Sequence, residues 1–443
     1  MTTRYVIVGS GVAGVAAAAA IRQRDPRGDI TLLSDDPHGY YSRPGLAYFL
    51  TGEIPEAQLF PMRPAVRREL GLRQVIGAAH RVDPAEHRVI LADGAALTYD
   101  RLLLATGAVA VRSPVPGAEL PGVVKLDGLD DARQLVALAR RARAAVVIGG
   151  GITALEIAEG LHAHCRQVHY LLRGDRYWGS VLDAAEAEII MGRLAAAGIQ
   201  LHTRTEAAEI AGGRGRVAGV VTTDGRRIPC DLVAVAIGVT PRVELAHAAG
   251  LRVERGILAD EFLQTSAADI FTAGDAAQVY DPATGKALLD TLWNAARSQG
   301  HVAGQNMAGG QVRYVKPMPL NVTRLVGVTT TIIGAVGRWP DADMVGLARG
   351  DSETWRQLGQ ALVAEDRHEV NRIRLLVGSR TLLGAVVMGD QTPSRPLQRL
   401  VGEQVDITPI RERLLASGAP IAALIAQLTT DPNGLVDRWG ILE

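Results

Sequence analysis

The sequence contains very little cysteine. Cys165 and Cys230 are the two cysteines among 443 residues, and they are too far apart in the chain to form a CxxC pair. A redox-active dithiol, an iron–sulfur cluster or a cysteine-rich zinc site built by this chain alone is therefore excluded. We expect both residues to be small buried apolar side chains, and we predict no metal site.

Unbalanced charge and long apolar runs are also lacking. The chain has 47 Lys and Arg against 47 Asp and Glu, so its formal net charge is +0. Such a balance does not favour nucleic acid as a partner. No uninterrupted apolar run reaches the roughly 20 residues that span a bilayer, and no signal-peptide cleavage site stands out near the first strand. We therefore expect a cytoplasmic protein without an integral membrane segment.

Aromatic residues make up only 4% of the chain, whereas glycine is abundant, with 49 residues. This combination favours α/β layers joined by tight glycine turns over a stacked all-β sandwich. A chain of 443 residues is also too long for one core, so two or three domains are expected.

The first informative pattern is a GxGxxG turn between a short apolar strand and a helix-prone segment. Gly9 permits the tight turn, Gly11 removes the Cβ that would block a pyrophosphate, and Gly14 lets helix and strand pack closely. The N–H groups of Val12 and Ala13, at the start of the helix, would then face the phosphates. The pattern predicts a dinucleotide site.

The next strand, at Ile30–Leu33, leads into Ser34, Asp35 and Asp36. A carboxylate at the end of this strand accepts hydrogen bonds from ribose hydroxyls, and Asp35 follows Gly14 by about 20 residues, the usual separation. We choose Asp35 as the ribose ligand. The alternatives are Asp36, a strand end at Ser34, and an ordinary acidic surface turn.

A second turn of the same kind occurs at Gly149, Gly151 and Ala154, again between an apolar strand and a helix. Its GxGxxA spacing leaves Gly151, Ile152 and Thr153 at the helix start, where N–H groups would face a second pyrophosphate. Two complete turn units predict two bound nucleotides.

The strand after the second turn does not end in an acid but is followed by Arg173 and Arg176. Arginines accommodate the 2′-phosphate of NADP, whereas a carboxylate binds the free 2′-hydroxyl of NAD. The arginines favour NADPH. Asp175 can serve the ribose and the arginines can be ordinary surface residues, so NADH stays open.

Three further segments suit a flavin dinucleotide. Ala105-Thr106-Gly107 and Gly238 end two buried strands, which we interpret as the points where the chain leaves one domain and returns to it; Gly238 is also placed at the second nucleotide. Another strand leads into Gly274-Asp275, where we predict a helical segment and a ribityl contact from the carboxylate. Trp293 begins a helix whose N-terminus would stabilise a reduced flavin, and core packing is the alternative for its side chain.

In this order, the segments resemble the FAD-dependent pyridine nucleotide–disulfide oxidoreductase superfamily over essentially the whole chain. The resemblance implies an α/β fold with two Rossmann-like (three-layer ββα) nucleotide-binding domains and a C-terminal α+β interface domain. FAD would bind to residues 1–112 and 238–316, and NADH or NADPH to residues 113–237. Residues 317–443 would form the interface domain, which often makes a dimer in this superfamily, so a homodimer is expected.

The loop Tyr40–Leu46 resembles the flavin-contacting loop of ferredoxin and rubredoxin reductases and of the flavin module of nitrite reductase large subunits. This similarity implies that Arg43 and Pro44 lie along the FAD. Disulfide reductases carry a redox cysteine in this region, and none is present here, which excludes a thiol relay. Tyr48 stands where related reductases often have a lysine, and Glu156 matches the family's glutamate near the nicotinamide. No other catalytic residue is assigned.

The resemblance predicts an oxidoreductase that transfers hydride from NAD(P)H to FAD and passes electrons to an external carrier. The carrier would be a ferredoxin, a rubredoxin or a partner subunit. One alternative is an NAD(P)H reductase of quinones or other small molecules. Another, of a different class, is a flavoprotein that senses NAD(P)H as a binding module.

In the last third of the chain, strands are predicted at residues 324–328 and 329–334, and a hairpin at residues 372–377 and 382–389. A single helix is predicted over residues 410–428. Its apolar residues favour core or dimer contacts, and contact with a quinone or a membrane surface is the alternative.

Overall fold

The computed structural model describes residues 2–282, 284–336, 371–416 and 420–429. The described residues form two compact units, one before Met318 and one from Met318 onward. The finer division of the chain into three domains stays a prediction.

The secondary structure of the first unit alternates between strands and helices. Its strands, in chain order, are β1 Arg4–Val8, β2 Asp29–Ser34, β3 Leu72–Ile76, β4 Ala79–Asp83, β5 Arg88–Leu91, β6 Ala96–Thr98, β7 Arg101–Leu104, β8 Ala108–Ala110, β9 Val123–Val124, β10 Ala144–Ile148, β11 Gln167–Leu171, β12 Gln200–His202, β13 Ala207–Gly213, β14 Arg216–Thr222, β15 Arg227–Ile228, β16 Leu232–Val235, β17 Val239–Pro241, β18 Ile257–Ala259, β19 Ile270–Thr272, β20 Ala277–Asp281 and β21 Lys286–Leu289. Its helices are α1 Val12–Arg24, α2 Leu46–Thr51, α3 Pro64–Glu69, α4 Leu129–Ala139, α5 Ile152–His162, α6 Ala184–Ala196, α7 Glu244–Ala248 and α8 Trp293–Met307, with a 3₁₀ turn at Glu56–Leu59.

Two five-stranded parallel sheets organise this unit. The first has the strand order β19-β7-β1-β2-β3 and the second the order β12-β11-β10-β16-β9. In β1, Tyr5–Val8 is buried throughout, which explains why its sequence is continuously apolar rather than alternating. A helix follows each central strand, α1 after β1 and α5 after β10. These two units confirm the predicted α/β class.

Smaller sheets complete the unit, with orders β4-β5-β6, β13-β14-β15 and β18-β20-β21. The first two are antiparallel, whereas the third is mixed, because β18 pairs parallel with β20. Strands β14 and β15 pair antiparallel, with Val220 opposite Ile228. Strands β8 and β17 pair antiparallel, with Ala110 opposite Val239. The two segments interpreted as the points where the chain leaves one domain and returns to it, after Gly107 and after Gly238, therefore run side by side.

Helix α8 packs against α1 at very short range. A Cβ atom on Gly300 would lie 2.1 Å from the Ala13 carbonyl oxygen, and one on Gly304 would lie 2.3 Å from the Ala17 carbonyl oxygen. Only glycine allows two backbones to approach this closely. The four-residue spacing places both glycines on one face of α8, so this face fixes the position of α1.

The segment after Asp275 corrects one prediction. It is not helical, because the Ala277 N–H donates to the Gly274 carbonyl (2.8 Å) in a tight turn and β20 then begins. Gly274 has a φ of +80°, a left-handed conformation that glycine adopts without strain. Asp275 thus lies in a turn between two strands.

The second unit contains an antiparallel sheet with helices on one face. Its strands are β22 Leu320–Leu325, β23 Val328–Gly334, β24 Arg372–Val377 and β25 Leu382–Met388, and its described helices are α9 Ser394–Gly402, α10 Arg411–Leu415 and α11 Ile421–Thr429. The strand order is β22-β23-β25-β24. The predicted hairpin of β24 and β25 is confirmed. The hairpin of β22 and β23 has its turn at Val326-Gly327. This turn lies two residues before the predicted boundary, which was between residues 328 and 329.

The single helix predicted over residues 410–428 is wrong. The described residues of this stretch form the separate helices α10 and α11, and Pro420 immediately precedes α11. Proline has no N–H to continue a helix but is well placed at a helix start. In α11, Leu424 and Ile425 are buried in the core of this unit. In the part of the chain that the structure describes, no helix is both long and apolar enough to cross a bilayer.

Replacement of Gly304 by alanine tests the contact between α1 and α8. We expect Gly304→Ala to destabilise the protein by about 1–3 kcal/mol, because the added methyl group displaces the Ala17 carbonyl. Gly192→Ala is the matched control, since Gly192 lies within α6 and a Cβ there would meet nothing within 4 Å. That change should leave the protein as stable or up to about 1 kcal/mol more stable. A thermal unfolding midpoint for Gly304→Ala at or above that of the wild type would contradict this account.

Candidate functional site

The first glycine turn joins β1 to α1 and is sterically closed on two sides. Gly9 has a φ of +120°, and a Cβ there would lie 2.0 Å from the Ala105 carbonyl oxygen. A Cβ on Gly14 would lie 2.0 Å from the Gly9 carbonyl oxygen. By contrast, a Cβ on Gly11 would meet nothing within 4 Å. The turn is tightly packed at Gly9 and Gly14 and open at Gly11, where a pyrophosphate must approach the backbone in a dinucleotide-binding turn.

Helix α1 presents its N-terminus to this open space. Gly11 is its N-cap, without a side-chain cap, and the first turn contains no acidic residue. The N–H groups of Val12 and Ala13 therefore meet no competing carboxylate. A Cβ on Gly274 would lie 3.1 Å from the Ala13 Cβ, so the turn that carries the half-buried Asp275 lies against the same helix start.

The segment after β7 is tied to the returning chain. The Thr106 hydroxyl donates to the Arg242 carbonyl (2.7 Å), and the Arg242 N–H donates to the Gly107 carbonyl (2.9 Å). Ala105 closes the first glycine turn from behind. Ala105, Thr106 and Gly107 directly follow β7, at the carboxyl end of a buried strand, as predicted.

The two candidate carboxylates after β2, Asp35 and Asp36, have different surroundings. Asp36 accepts the His38 N–H (2.9 Å) and the Tyr41 hydroxyl (3.1 Å), so it stabilises the following loop. Ser34 is buried. Asp35 is exposed directly after the strand. Asp35 thus remains the candidate for the ribose, and that contact stays a prediction.

The loop that resembles a flavin-contacting loop leads into α2 and contacts the start of α4. The exposed Arg43 guanidinium donates to the Asp127 carbonyl (2.9 Å), whereas Pro44 is buried. The Tyr41 hydroxyl accepts the Leu129 N–H (3.1 Å). The loop is therefore attached to the first residues of α4.

An ion-pair cluster reinforces this attachment, and sequence reasoning did not find it. Arg133 on α4 donates to both Glu56 oxygens (2.9 and 2.6 Å) and to Asp130 (2.9 Å), and Asp130 also meets His38 (2.9 Å). The Arg133 hydrogen bonds hold the pKa of Glu56 below its usual range. Because the Arg133 and Glu56 side chains are 40% and 36% exposed, solvent screens the pair and its stabilising effect is small. No sequence pattern links residues so far apart in the chain.

The candidates Tyr48 and Glu156 lie on two helices in direct contact. Tyr48 is half-buried on α2, and Glu156 is buried on α5 with 7% exposure. A Cβ on Gly160 would lie 2.6 Å from the Leu50 Cβ, so α2 and α5 pack closely. The loop Tyr40–Leu46, which leads into α2, and helix α5, which follows the second glycine turn, are thus held close together.

The second glycine turn repeats the geometry of the first. Gly149 has a φ of +151°, and a Cβ there would lie 2.2 Å from the Ala236 carbonyl oxygen. A Cβ on Gly151 would meet nothing within 4 Å. Gly151 is the N-cap of α5, whose first turn has no acidic residue. A second helix N-terminus is therefore open to an anion.

A small pocket lies beside this second turn. Its lining comprises Ala110, Leu126, Gly151, Ile152, Thr153, Val235, Ala236, Gly238 and Val239. The structure thus brings together the start of α5 and Gly238, which sequence analysis had placed at the second nucleotide.

The arginines after β11 lie on an exposed loop, away from this pocket's lining. Arg173 is exposed, and Arg176 forms a 3.8 Å ion pair with Asp175. The structure adds a third arginine: the Arg204 N–H donates to the Gly174 carbonyl (2.8 Å), and Arg204 has a φ of +49°. Nothing in the sequence spacing indicated this neighbour.

Trp293 begins α8, as predicted. Its ring is half-buried and lies 5.7 Å from the Arg297 guanidinium carbon, a cation–π distance. The first turn of α8 contains no acidic residue. The side chain is therefore neither fully in the core nor free on the surface.

Comparison with known proteins identifies the family. Residues 3–300 match the family model described as pyridine nucleotide-disulphide oxidoreductase. The chain belongs to this family. Membership confirms the predicted class, an FAD-dependent oxidoreductase that uses a pyridine nucleotide.

Individual relatives of the family cover the second unit as well. The chain is 32% identical over 416 residues to the biphenyl dioxygenase system ferredoxin–NAD(+) reductase component of Paraburkholderia xenovorans, covering 92% of this chain and 95% of that one. It is 32% identical to a rubredoxin–NAD(+) reductase of Pseudomonas putida, over 75% and 86% of the two chains. The crystal structure of the ferredoxin reductase for the CYP199A2 system from Rhodopseudomonas palustris has a TM-score of 0.78 at 26% identity, covering 93% and 97%.

Both thiols of this family member are buried and free of disulfides. Burial raises the pKa of Cys165, and it raises the pKa of Cys230 to about 12. A raised pKa keeps a thiol protonated and poorly nucleophilic near neutral pH. Neither cysteine lies in the loop of residues 42–46, where disulfide reductases carry their redox cysteine.

Thiol chemistry can be tested directly. We expect both cysteines of the native protein to react slowly with a thiol-labelling reagent near neutral pH and faster as the pH rises, because the thiolate fraction increases. The Cys165→Ala/Cys230→Ala variant should keep its NAD(P)H oxidation rate within about two-fold of the wild type. Labelling in denaturant, where both cysteines should react rapidly, is the control. Rapid native labelling that abolishes turnover would contradict the account.

Proposed function

We propose that this chain passes electrons from a nicotinamide nucleotide, through bound FAD, to a separate electron-carrier protein of the ferredoxin or rubredoxin type. One observation carries the proposal. A single compact unit contains two glycine turns, at Gly9 and Gly149, and each is closed by an alanine carbonyl and opens on a helix N-terminus.

The residues present fit two dinucleotides. The open spaces at Gly11 and Gly151 lie in front of helices without acidic first turns, where backbone N–H groups stabilise phosphate charge. Asp35 and Asp275 would hold hydroxyl groups of the flavin nucleotide. When bound, the flavin would accept a hydride from the nicotinamide and release electrons one at a time. The chain positions the two rings and excludes water.

The direct contact of α2 with α5 supports this positioning. It joins the loop of Arg43 and Pro44 to the helix of Glu156. Because the loop has no cysteine and both thiols of the chain are buried, a thiol relay is not part of the proposal. The named activities of the two relatives support a protein carrier as the acceptor.

Two further parts of the proposal concern location and assembly. We place the reaction in the cytoplasm, where NADH and NADPH are available. We also propose a homodimer formed through residues 317–443. In the described part of that unit, the apolar side chains of Leu383 and Leu415 are exposed and suit such a contact.

Steady-state assays with purified carriers test the acceptor. We expect NAD(P)H-dependent reduction of a ferredoxin or rubredoxin at least about ten-fold faster than reduction of a quinone, because docking orients a carrier at the flavin. Gly151→Glu is the control variant: it should keep FAD but lose carrier reduction, since its carboxylate blocks the second phosphate site. Fast quinone turnover together with no activity on any carrier would contradict the proposal.

We further propose that the chain accepts NADPH alongside NADH. The strand end at Leu171-Leu172 offers no carboxylate to the 2′-hydroxyl. Arg173 and Arg204 lie on segments joined by a hydrogen bond, where their guanidinium groups suit a 2′-phosphate. The NAD(+) named in the relatives' activities supports use of NADH.

Arg173→Ala tests this specificity. The substitution should lower kcat/KM for NADPH by about ten-fold, the usual effect of losing a hydrogen bond to a charged group, and leave that for NADH within about two-fold. Arg166→Ala is the matched control, because Arg166 is exposed at the opposite end of β11. Equal losses with both nucleotides would contradict a role at the 2′-phosphate.

A further inference from the structure

A buried polar cluster lies behind the turn at Gly274, and the proposed function does not use it. Gln299 is 1% exposed, Tyr314 5% and Asp290 7%. Together with Lys316, these residues line one small cavity. Polar side chains this deeply buried are unfavourable unless they are hydrogen-bonded.

Gln299 makes the central contact of the cluster. It lies on α8, and its side-chain carbonyl accepts the Gly274 N–H at 2.8 Å in a buried position. The same turn is closed by the Ala277 N–H on the Gly274 carbonyl. Both backbone groups of Gly274 are therefore bound within the protein, and the adjacent Asp275 is oriented by a turn that Gln299 holds.

Asp290, Tyr314 and Lys316 complete the cluster around the same cavity as Gln299. The Asp290 carboxylate accepts the Leu292 N–H (3.2 Å) and lies 3.8 Å from the Lys316 ammonium. The buried Tyr314 hydroxyl lies beside the Gln299 side chain. Both side chains face the same cavity, which measures about 10 Å³.

We propose that Gln299 is a positioning residue for FAD. Its bond to Gly274 holds the turn from which Asp275 would reach the flavin nucleotide, and the adjacent Tyr314 hydroxyl supports the Gln299 side chain. The inference rests on the proposed function, because it takes FAD to lie at this turn. It adds a side chain that acts on the cofactor without touching it.

Variants of the full chain test the proposal. Gln299→Met keeps the length and flexibility of the side chain and removes the acceptor. Gln299→Glu restores an acceptor. Gln305→Leu, on the same helix and half-buried, is the matched control. The two readouts are the FAD dissociation constant and the rate of hydrogen–deuterium exchange in the peptide that contains Gly274, measured on the apoprotein.

We expect Gln299→Met to weaken FAD binding by about ten-fold or more, since a buried N–H loses its partner, and to accelerate exchange at Gly274. Gln299→Glu should recover most of both properties, and Gln305→Leu should match the wild type. Tyr314→Phe should weaken FAD binding less than Gln299→Met does. Tyr314→Phe also serves as the test if Gln299→Met does not fold. It should then bind FAD more weakly than the wild type and have the melting temperature of the wild type.

Two results would overturn the inference. One is FAD binding by Gln299→Met within about two-fold of the wild type, too little for a lost buried hydrogen bond. The other is weakened binding with unchanged exchange at Gly274. If Gln299→Met does not fold, wild-type FAD affinity in Tyr314→Phe would overturn it equally. A wild-type protein that itself does not bind FAD would instead contradict the proposed function.

Discussion

The close approach of α1 and α8 is the contact on which the candidate site depends. Gly300 and Gly304 allow the α8 backbone to touch the α1 backbone at Ala13 and Ala17. Helix α1 carries the first glycine turn at its start, and α8 carries Trp293 at its start and the side chain that holds Gly274 further along. Because packed interiors yield little to added volume, this pair of helices sets the distance between the first glycine turn and the two segments at Gly274 and Trp293, which the proposal assigns to one cofactor.

The same steric arrangement occurs at both glycine turns. In each, the last strand residue is followed by a glycine at positive φ that presses on an alanine carbonyl, Ala105 for Gly9 and Ala236 for Gly149. The helix that follows begins in open space. In the proposed function, the fixed backbone dipoles at these helix starts provide the charge complementarity, which a chain of formal net charge +0 does not supply through its overall charge.

Local features were predictable from the sequence, and contacts between distant segments were not. Strands β1 and β10, both glycine turns and the hairpin of β24 and β25 follow from short-range spacing and burial, which leave a clear pattern. The segment after Asp275 differs from the predicted helix because the four-residue turn of residues 274–277 leads directly into β20. The Arg133–Glu56 ion pair and the Arg204–Gly174 contact join remote positions that no periodicity connects. Gly300 and Gly304 carry a signal in the sequence, because their four-residue spacing indicates a close contact along one face of a helix.

Anaerobic titration of the purified protein with NADH, followed by the visible absorbance of flavin, tests the central claim most directly. The account predicts a yellow protein that contains FAD and whose flavin band is bleached in proportion to the NADH added. A colourless protein that takes up no FAD on reconstitution, or a bound flavin that neither NADH nor NADPH reduces, would contradict the claim that this chain holds the two dinucleotides in reactive contact.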